Sequence, residues 1–492
     1  MPELPRFQHY IDGRFEDAAA HFESLDPATG APWALMPAAS AQDVDRAVRA
    51  AHAALQAPAW AGLTATARGK LLSRLGDLLA EAAPRLAALE TRDTGKIIRE
   101  TGGQIAYIAD YFRFYGGLAD KVMGLHVPVD KPEMEVTLRR EPVGVVAAMV
   151  PWNSQLFLAA VKLGPALAAG CTMVLKAAED GAAPLLEFAR VVHDAGFPPG
   201  VVNIITGTGA QCGQALTTHP LVARIAFTGG PETARHIVRN SAANLAATTL
   251  ELGGKSPVLA FADADPDNVV SAVIAGIFAA SGQSCVAGSR LLVQRPLLPA
   301  LLERLKARAE QIVIGNPADA ATQMGPLATA RQRDRALALI KDSQEQGAVL
   351  ITGGDVPAGF AAGFYLRPTI LLCDTPEPPC WGEEFFAPVL SVIAFDTEDE
   401  ALALANDSKF ALASGVFTQN LARAHRLARA IRAGVVWVNT YRVISPLVPF
   451  GGYKESGLGR EGGVESILDY TRTKSVWINL SDAPLPDPFV MR

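Results

Sequence analysis

Two hydrophobic rhythms divide the chain. In its first 120 residues, "AQDVDRAVRAAHAALQA" and "TARGKLLSRLGDLLAEAAPRLAALETRDTG" set apolar side chains three and four positions apart, the spacing of amphipathic helices. "ETGGQIAYIADYFRFYGGLAD" continues that period, and its pair Gly116–Gly117 predicts the helix end. From residue 143 the apolar runs become short and rich in Val and Ile: "VGVVAAMV", "TMVLKA", "VVNIIT", "ARIAFTGG" and "ATTLELGG". Between them lie the helical stretches "QLFLAAVKLGPALAAG", "PLLEFARVVHDAG", a short helix from Ala210, and "PETARHIVRNSA". Strands that are apolar throughout, alternating with helices, predict a parallel sheet covered on both faces.

A second alternating stretch runs from about 254 to 454, with helices such as "LLPALLERLKARAEQIV" and strands such as "PVLSVIAF" and "GVVWVNT". The reading is therefore an α/β protein with two α/β domains. The insert "GLHVPVDKPEMEVTLRREP" fits neither rhythm and reads as an extended ribbon, which the C-terminal "TKSVWINL" is placed to pair with. Such an edge is commonly covered, often by another subunit.

A length of 492 residues agrees with more than one core. Hydrophobic residues at 49% and charged residues at 19% are ordinary for a folded chain. A net charge of −6 without a basic, aromatic-rich cluster gives no case for nucleic acid. The longest apolar stretch, "LFLAAVKLGPALAAGCTMVL", is interrupted by Lys162 and Pro165, which speaks against a membrane span. The start "MPELPRFQHYIDGRF" lacks the apolar segment of a secretory signal. Five cysteines, an odd number without a close CxxC pair, argue against a disulfide framework or a zinc site and fit a reducing cytoplasm.

The chemistry-bearing residues gather where strands end. "PWN" puts Asn153 after the first parallel strand, "KAAE" puts Lys176 and Glu179 after the second, and "TGG" follows a third. An ammonium and a carboxylate three residues apart can grip the two hydroxyls of a ribose, or form a solvated surface pair. "GTGAQCG", with Gly207, Gly209 and Gly213, approaches a dinucleotide fingerprint but has one residue too many before its last glycine. "LELGGK" ends a strand at Glu251, either a general base raised in pKa by burial or the partner of a salt bridge. "GQSC" sets Cys285 among small residues. It is either a small core filler or a nucleophile whose own N–H is free to face an oxyanion.

Together and in order, "PWN", "KAAE", "FTGG", "LELGGK", "GQSC", "EEFFAPV" and "PFGGYKESGLGRE" resemble the aldehyde dehydrogenase superfamily, hydrolytic type, over essentially the whole chain. The resemblance implies a Rossmann-type cofactor domain (1–123 and 143–253), a catalytic domain (254–455) and a small oligomerisation element (124–142 and 470–492). It implies that Cys285 attacks an aldehyde, that Asn153 and the Cys285 N–H hold the oxyanion, and that Glu251 activates water against the thioester. Lys162 and Glu461 are then either a proton path or a structural ion pair.

The same resemblance implies an NAD site, with NADP the alternative. Lys176 and Glu179 would hold the adenosine ribose, and Glu384 the nicotinamide ribose beside Phe386. Pro151, Trp152, Gly209, Gly213, Phe227, Thr228, Gly229, Gly230 and Leu252 would complete the cofactor contacts. A carboxylate at 179 would repel a 2′-phosphate and favour NAD. Gly230, Ala177 and Ala387 depart from the usual serine, proline and glycine, and Ser154–Gln155 replaces a frequent Phe-Pro, which suggests a more polar entrance. Leu158, Val161, Ser284, Val286, Ile444 and Phe450 would line the substrate tunnel. Arg442 at its mouth would either pair with a polar or carboxylate group of the substrate or bridge to a nearby Asp or Glu. The implied partners are a small aldehyde and a second copy of the chain, in a dimer or tetramer. No metal is implied.

Overall fold

The computed structural model describes residues 3–485 and 487–490. Met1, Pro2, Pro486, Met491 and Arg492, which fall at the ends of the expected cofactor domain and oligomerisation element, lie outside them. Five parallel strands form the centre of an eight-stranded sheet, in the order Val202–Thr206, Thr172–Ala177, Val145–Met149, Val222–Thr228, Ala247–Glu251. The three strands first named are buried along their whole length, which explains their apolar pattern. In chain order the sheet grows in one direction from Val145–Met149, then resumes on that strand's other side with Val222–Thr228. The carboxyl ends of these two neighbours therefore diverge into a crevice. Short antiparallel strands close the edges: His9–Ile11 and Arg14–Glu16 at one, Gly457–Leu458 at the other.

A seven-stranded sheet carries the second alternating region, ordered Val349–Thr352, Thr369–Cys373, Val389–Phe395, Arg290–Gln294, Pro257–Ala260, Ala413–Phe417, Val435–Val438. Only Val349–Thr352 runs antiparallel to its neighbour. The ribbon is a separate three-stranded sheet, in which Thr471–Asn479 pairs residue for residue with Met134–Pro142 and Leu125–Val127 adds the outer strand.

One helix boundary differs from the sequence reading. The helix Ile98–Leu118 runs through Gly116 and Gly117 rather than stopping there. Gly116 is needed for packing: a Cβ on it would stand 2.7 Å from the Gly69 carbonyl oxygen in the neighbouring helix Ala65–Thr94. At this point the two helix backbones approach closely, and glycine is the residue that permits it. A second difference lies after Val202–Thr206. There Thr208 caps a wide turn over Gly209–Gly213, and the helix proper covers Gln214–Thr217.

Lys162 and Pro165, which interrupt the longest apolar stretch, both sit in the buried helix Gln155–Ala169, which Gly170 ends in the left-handed conformation at φ 93°. Among the described residues no helix is long and apolar enough to cross a membrane.

Candidate active site

The helix Pro266–Phe278 ends in a turn whose backbone is unusual. Ala280, Ser281 and Gly282 are consecutively left-handed, at φ 52°, 53° and 73°. For Ala and Ser this conformation costs about 1–2 kcal/mol each, so the surroundings must hold it. They do: Ala280 N–H donates to both carboxylate oxygens of Glu100, at 2.9 and 3.1 Å, and Ser281 Oγ donates to the Gly325 carbonyl at 2.8 Å. This turn swings Cys285 into a cavity of about 820 Å³ between the two large sheets.

The strand ends of the first sheet supply the facing wall. Asn153, at the crevice, donates from Nδ2 to the Gln283 carbonyl at 2.9 Å, which orients its amide beside the cysteine loop. Its Oδ1 is buried without a partner. Glu251, at the end of Ala247–Glu251, is 3% exposed, and neither carboxylate oxygen has a hydrogen-bond partner. Burial drives its pKa well above the usual carboxylate range, and the neighbouring Glu461 charge adds to the rise. Gly451 makes room for it: a Cβ there would lie 2.7 Å from Glu251 Oε1.

The Cys285 thiol is pushed up to about 12, first by burial and then by the charges of Glu251 and Glu384. Its backbone N–H has no hydrogen-bond acceptor among the described residues. The site thus holds a protonated sulfur, an unpartnered buried carboxyl able to take a proton, and two N–H donors. Those are the parts that nucleophilic attack on a carbonyl requires.

Beneath the wall, Lys162 is fully buried and donates to Glu461 Oε1 at 2.5 Å and Thr228 Oγ1 at 2.7 Å. It neutralises one of the two buried carboxyl groups and leaves Glu251 as the free one. The backbones of Glu461 and Phe450 exchange hydrogen bonds at 2.8 and 2.6 Å and fasten the glycine-rich loop to the cavity.

Most residues singled out in the sequence meet here. Asn153, Thr228, Glu251, Leu252, Cys285 and Glu461 line the cavity, as do Leu158, Val161, Ser284, Val286, Arg442, Ile444 and Phe450. Pro151, Trp152, Lys176, Glu179, Gly209, Gly213, Phe227, Gly229 and Gly230 lie outside that lining, at the sheet's carboxyl ends. Lys176 Nζ donates to Glu179 Oε2 at 3.2 Å, and Glu179 is half-exposed at its side chain. Although burial raises the Glu179 pKa, the Lys176 charge together with hydrogen bonds from Lys176 and from the Glu179 and Gly209 backbones outweighs it, and the net shift is downward. Glu384 Oε1 accepts from Gly254 N at 2.8 Å, and Phe386 packs edge-on against Trp152 at 5.4 Å between ring centres.

The expected bridge from Arg442 to an Asp or Glu is not formed among the described residues. Its Nη1 donates instead to the Ala275 carbonyl at 2.9 Å.

Sequence reasoning missed a polar corner of the cavity. Lys96 Nζ donates to Glu90 at 2.9 Å, Gln104 at 2.6 Å and Ser154 at 3.2 Å. Glu100, Tyr111, Phe157, Gln283 and Trp437 were also not foreseen. The left-handed turn that Glu100 caps carries no glycine until Gly282, so no local signal marked it.

The comparisons with known proteins agree with this architecture. The pattern of the aldehyde dehydrogenase family matches residues 15–476. The chain belongs to the aldehyde dehydrogenase family, and so to the oxidoreductases that act on an aldehyde group. A relative from Acinetobacter baylyi (strain ATCC 33305 / BD413 / ADP1), named (Z)-2-((N-methylformamido)methylene)-5-hydroxybutyrolactone dehydrogenase, is 60% identical over 99% of this chain and 100% of its own. PnpE from Pseudomonas sp. WBC-3 superposes with a TM-score of 0.95 at 44% identity, covering 98% of this chain and 99% of that one. The NAD+ complex of an aldehyde dehydrogenase from Bacillus cereus does so at 0.95 and 37%, covering 97% of each.

Proposed function

We propose that the protein oxidises an aldehyde to a carboxylic acid with NAD, through a covalent intermediate on Cys285. The observation that carries this reading is the convergence of Cys285, Glu251 and Asn153 on one cavity, with the Glu251 carboxyl buried and unpartnered. In this reading the Cys285 proton passes to solvent in the cavity and the thiolate sulfur bonds to the carbonyl carbon. The oxyanion so formed is held by the Asn153 amide and the Cys285 N–H. A bound NAD would supply the hydride acceptor for that carbon, so that the Cys285 sulfur is left holding the acyl group as a thioester. Glu251 then removes a proton from water, whose oxygen attacks the thioester carbon and releases the acid and the free thiol. Lys162 and Glu461 form an ion pair below Glu251, and the Glu461 charge adds to the rise in the Glu251 pKa.

The strand ends suit the cofactor. The half-exposed Glu179 carboxylate and the Lys176 ammonium form an acceptor and a donor for a ribose diol. Gly209 and Gly230 are exposed and a Cβ on either would meet nothing within 4 Å, so their backbones stand open to a ligand. A 2′-phosphate at Glu179 would meet a carboxylate, which favours NAD over NADP. The hydroxybutyrolactone in the name of the 60% relative is the ring-closed form of an aldehyde acid, and a substrate of that type fits a cavity with polar groups at its edge.

We further assign 1–123 with 143–253 to cofactor binding, 254–455 to catalysis, and the ribbon to assembly of a dimer or tetramer. Trp477, Ile478 and Leu480 are exposed on that ribbon or just past it, and a second copy would cover them. Five free cysteines fit the cytoplasm.

The test is an aldehyde series followed by NADH absorbance with the acid product identified. Wild type is expected to turn over with NAD at least tenfold faster than with NADP, and Cys285→Ser to lose turnover by more than about a thousandfold. Comparable rates for Cys285→Ser remove the sulfur from the reaction.

A further inference from the structure

The cavity wall carries two cations, and they are treated differently. Lys96 is neutralised by Glu90 and further held by Gln104 and Ser154. Arg442 has no carboxylate within ion-pair distance among the described residues and spends one N–H on the Ala275 carbonyl. The rest of its fork is free. A guanidinium is planar and suited to taking both oxygens of a carboxylate at once.

Its presentation is built rather than accidental. Arg442 is half-buried and left-handed at φ 63°, a conformation that costs an arginine about 1–2 kcal/mol. Both sides of it are pinned. Tyr441 donates its hydroxyl to the Val286 carbonyl at 2.9 Å, one residue from the nucleophile, and Trp437 Nε1 donates to the Val443 carbonyl at 2.9 Å. Asn439, itself left-handed, exchanges two hydrogen bonds with the Thr418 backbone at 3.0 Å. The loop therefore holds the charge on the wall, where among the described residues its guanidinium meets one backbone carbonyl and no carboxylate. That charge is near enough to Cys285 to favour its thiolate. The surface beside it, formed by Leu158, Val161, Ile444 and Phe450, is apolar.

We propose that Arg442 determines specificity by binding a carboxylate at the far end of the aldehyde, so that the preferred substrate is an aldehyde acid rather than a neutral aldehyde. This rests on the aldehyde-oxidation reading above and adds the substrate class to it. The apolar wall takes the carbon chain, the sulfur meets the aldehyde end, and the guanidinium takes the acid end. The reaction product is accordingly a dicarboxylate.

The experiment compares succinic and adipic semialdehydes, each against its own methyl ester, which removes the charge and keeps the reacting end. In wild type, kcat/KM is expected to favour the acid member by about tenfold to a hundredfold for the better-fitting length, a range set by charge-assisted hydrogen bonds. Arg442→Ala and Arg442→Gln are expected to lose most of that ratio through KM, with the smaller change in kcat. Arg442→Lys should restore part of it. A wild type that treats acid and ester alike, or an Arg442→Ala that keeps the wild-type ratio, overturns the inference and leaves aldehyde oxidation standing. If no aldehyde yields NADH, the underlying reading falls and takes the inference with it.

Discussion

At the floor of the cavity Glu251 is 3% exposed and Asn153 9%, whereas at its rim Val443 and Val448 are 62% and 57% exposed. The floor is made of strand ends and of a turn locked by Glu100 and Gly325, so its polar atoms are aimed before any ligand arrives. The rim is a loop, residues 439–450, tied down at Asn439, Tyr441 and Trp437 but otherwise open. The contrast separates two duties. Preorganised, desolvated groups stabilise developing charge, and an exposed loop with a few anchored side chains chooses what enters.

This division predicts unequal effects. Asn153→Ala removes a donor held beside the cysteine loop and should lower kcat by about 10²–10³-fold, with KM within a few-fold, measured by steady-state kinetics. A loss seen only in KM would move Asn153 from the floor's duty to the rim's. Ile444→Ser alters an apolar rim side chain and should raise KM for apolar aldehydes by about fivefold, roughly 1 kcal/mol, while kcat stays within twofold. A large fall in kcat from this change would erase the distinction between floor and rim.

The floor was also the more legible part. Its motifs are short and local, so "PWN", "LELGGK" and "GQSC" could be picked out and read together in order, and the alternation of apolar strands and helices placed the first two at strand ends of one parallel sheet. Packing devices were not legible in the same way. Gly116 looked like a helix end because its true reason, the carbonyl of Gly69, lies 47 positions back in another helix. The Lys96 corner stayed hidden because Ser154 reaches it from 58 positions away, and Arg442 looked like half of a salt bridge whose other half does not exist among the described residues. Periodicity reports which face of an element is buried; it carries no information about which buried faces meet.

The central claim is that Cys285 carries the acyl group and Glu251 releases it. It is tested most directly by mixing Glu251→Gln with an aldehyde and NAD, quenching in acid, and weighing the protein and its peptides. The account predicts one acyl group on the peptide containing Cys285, formed with at most one equivalent of NADH. An unmodified Cys285 in protein that has turned over many equivalents would contradict it.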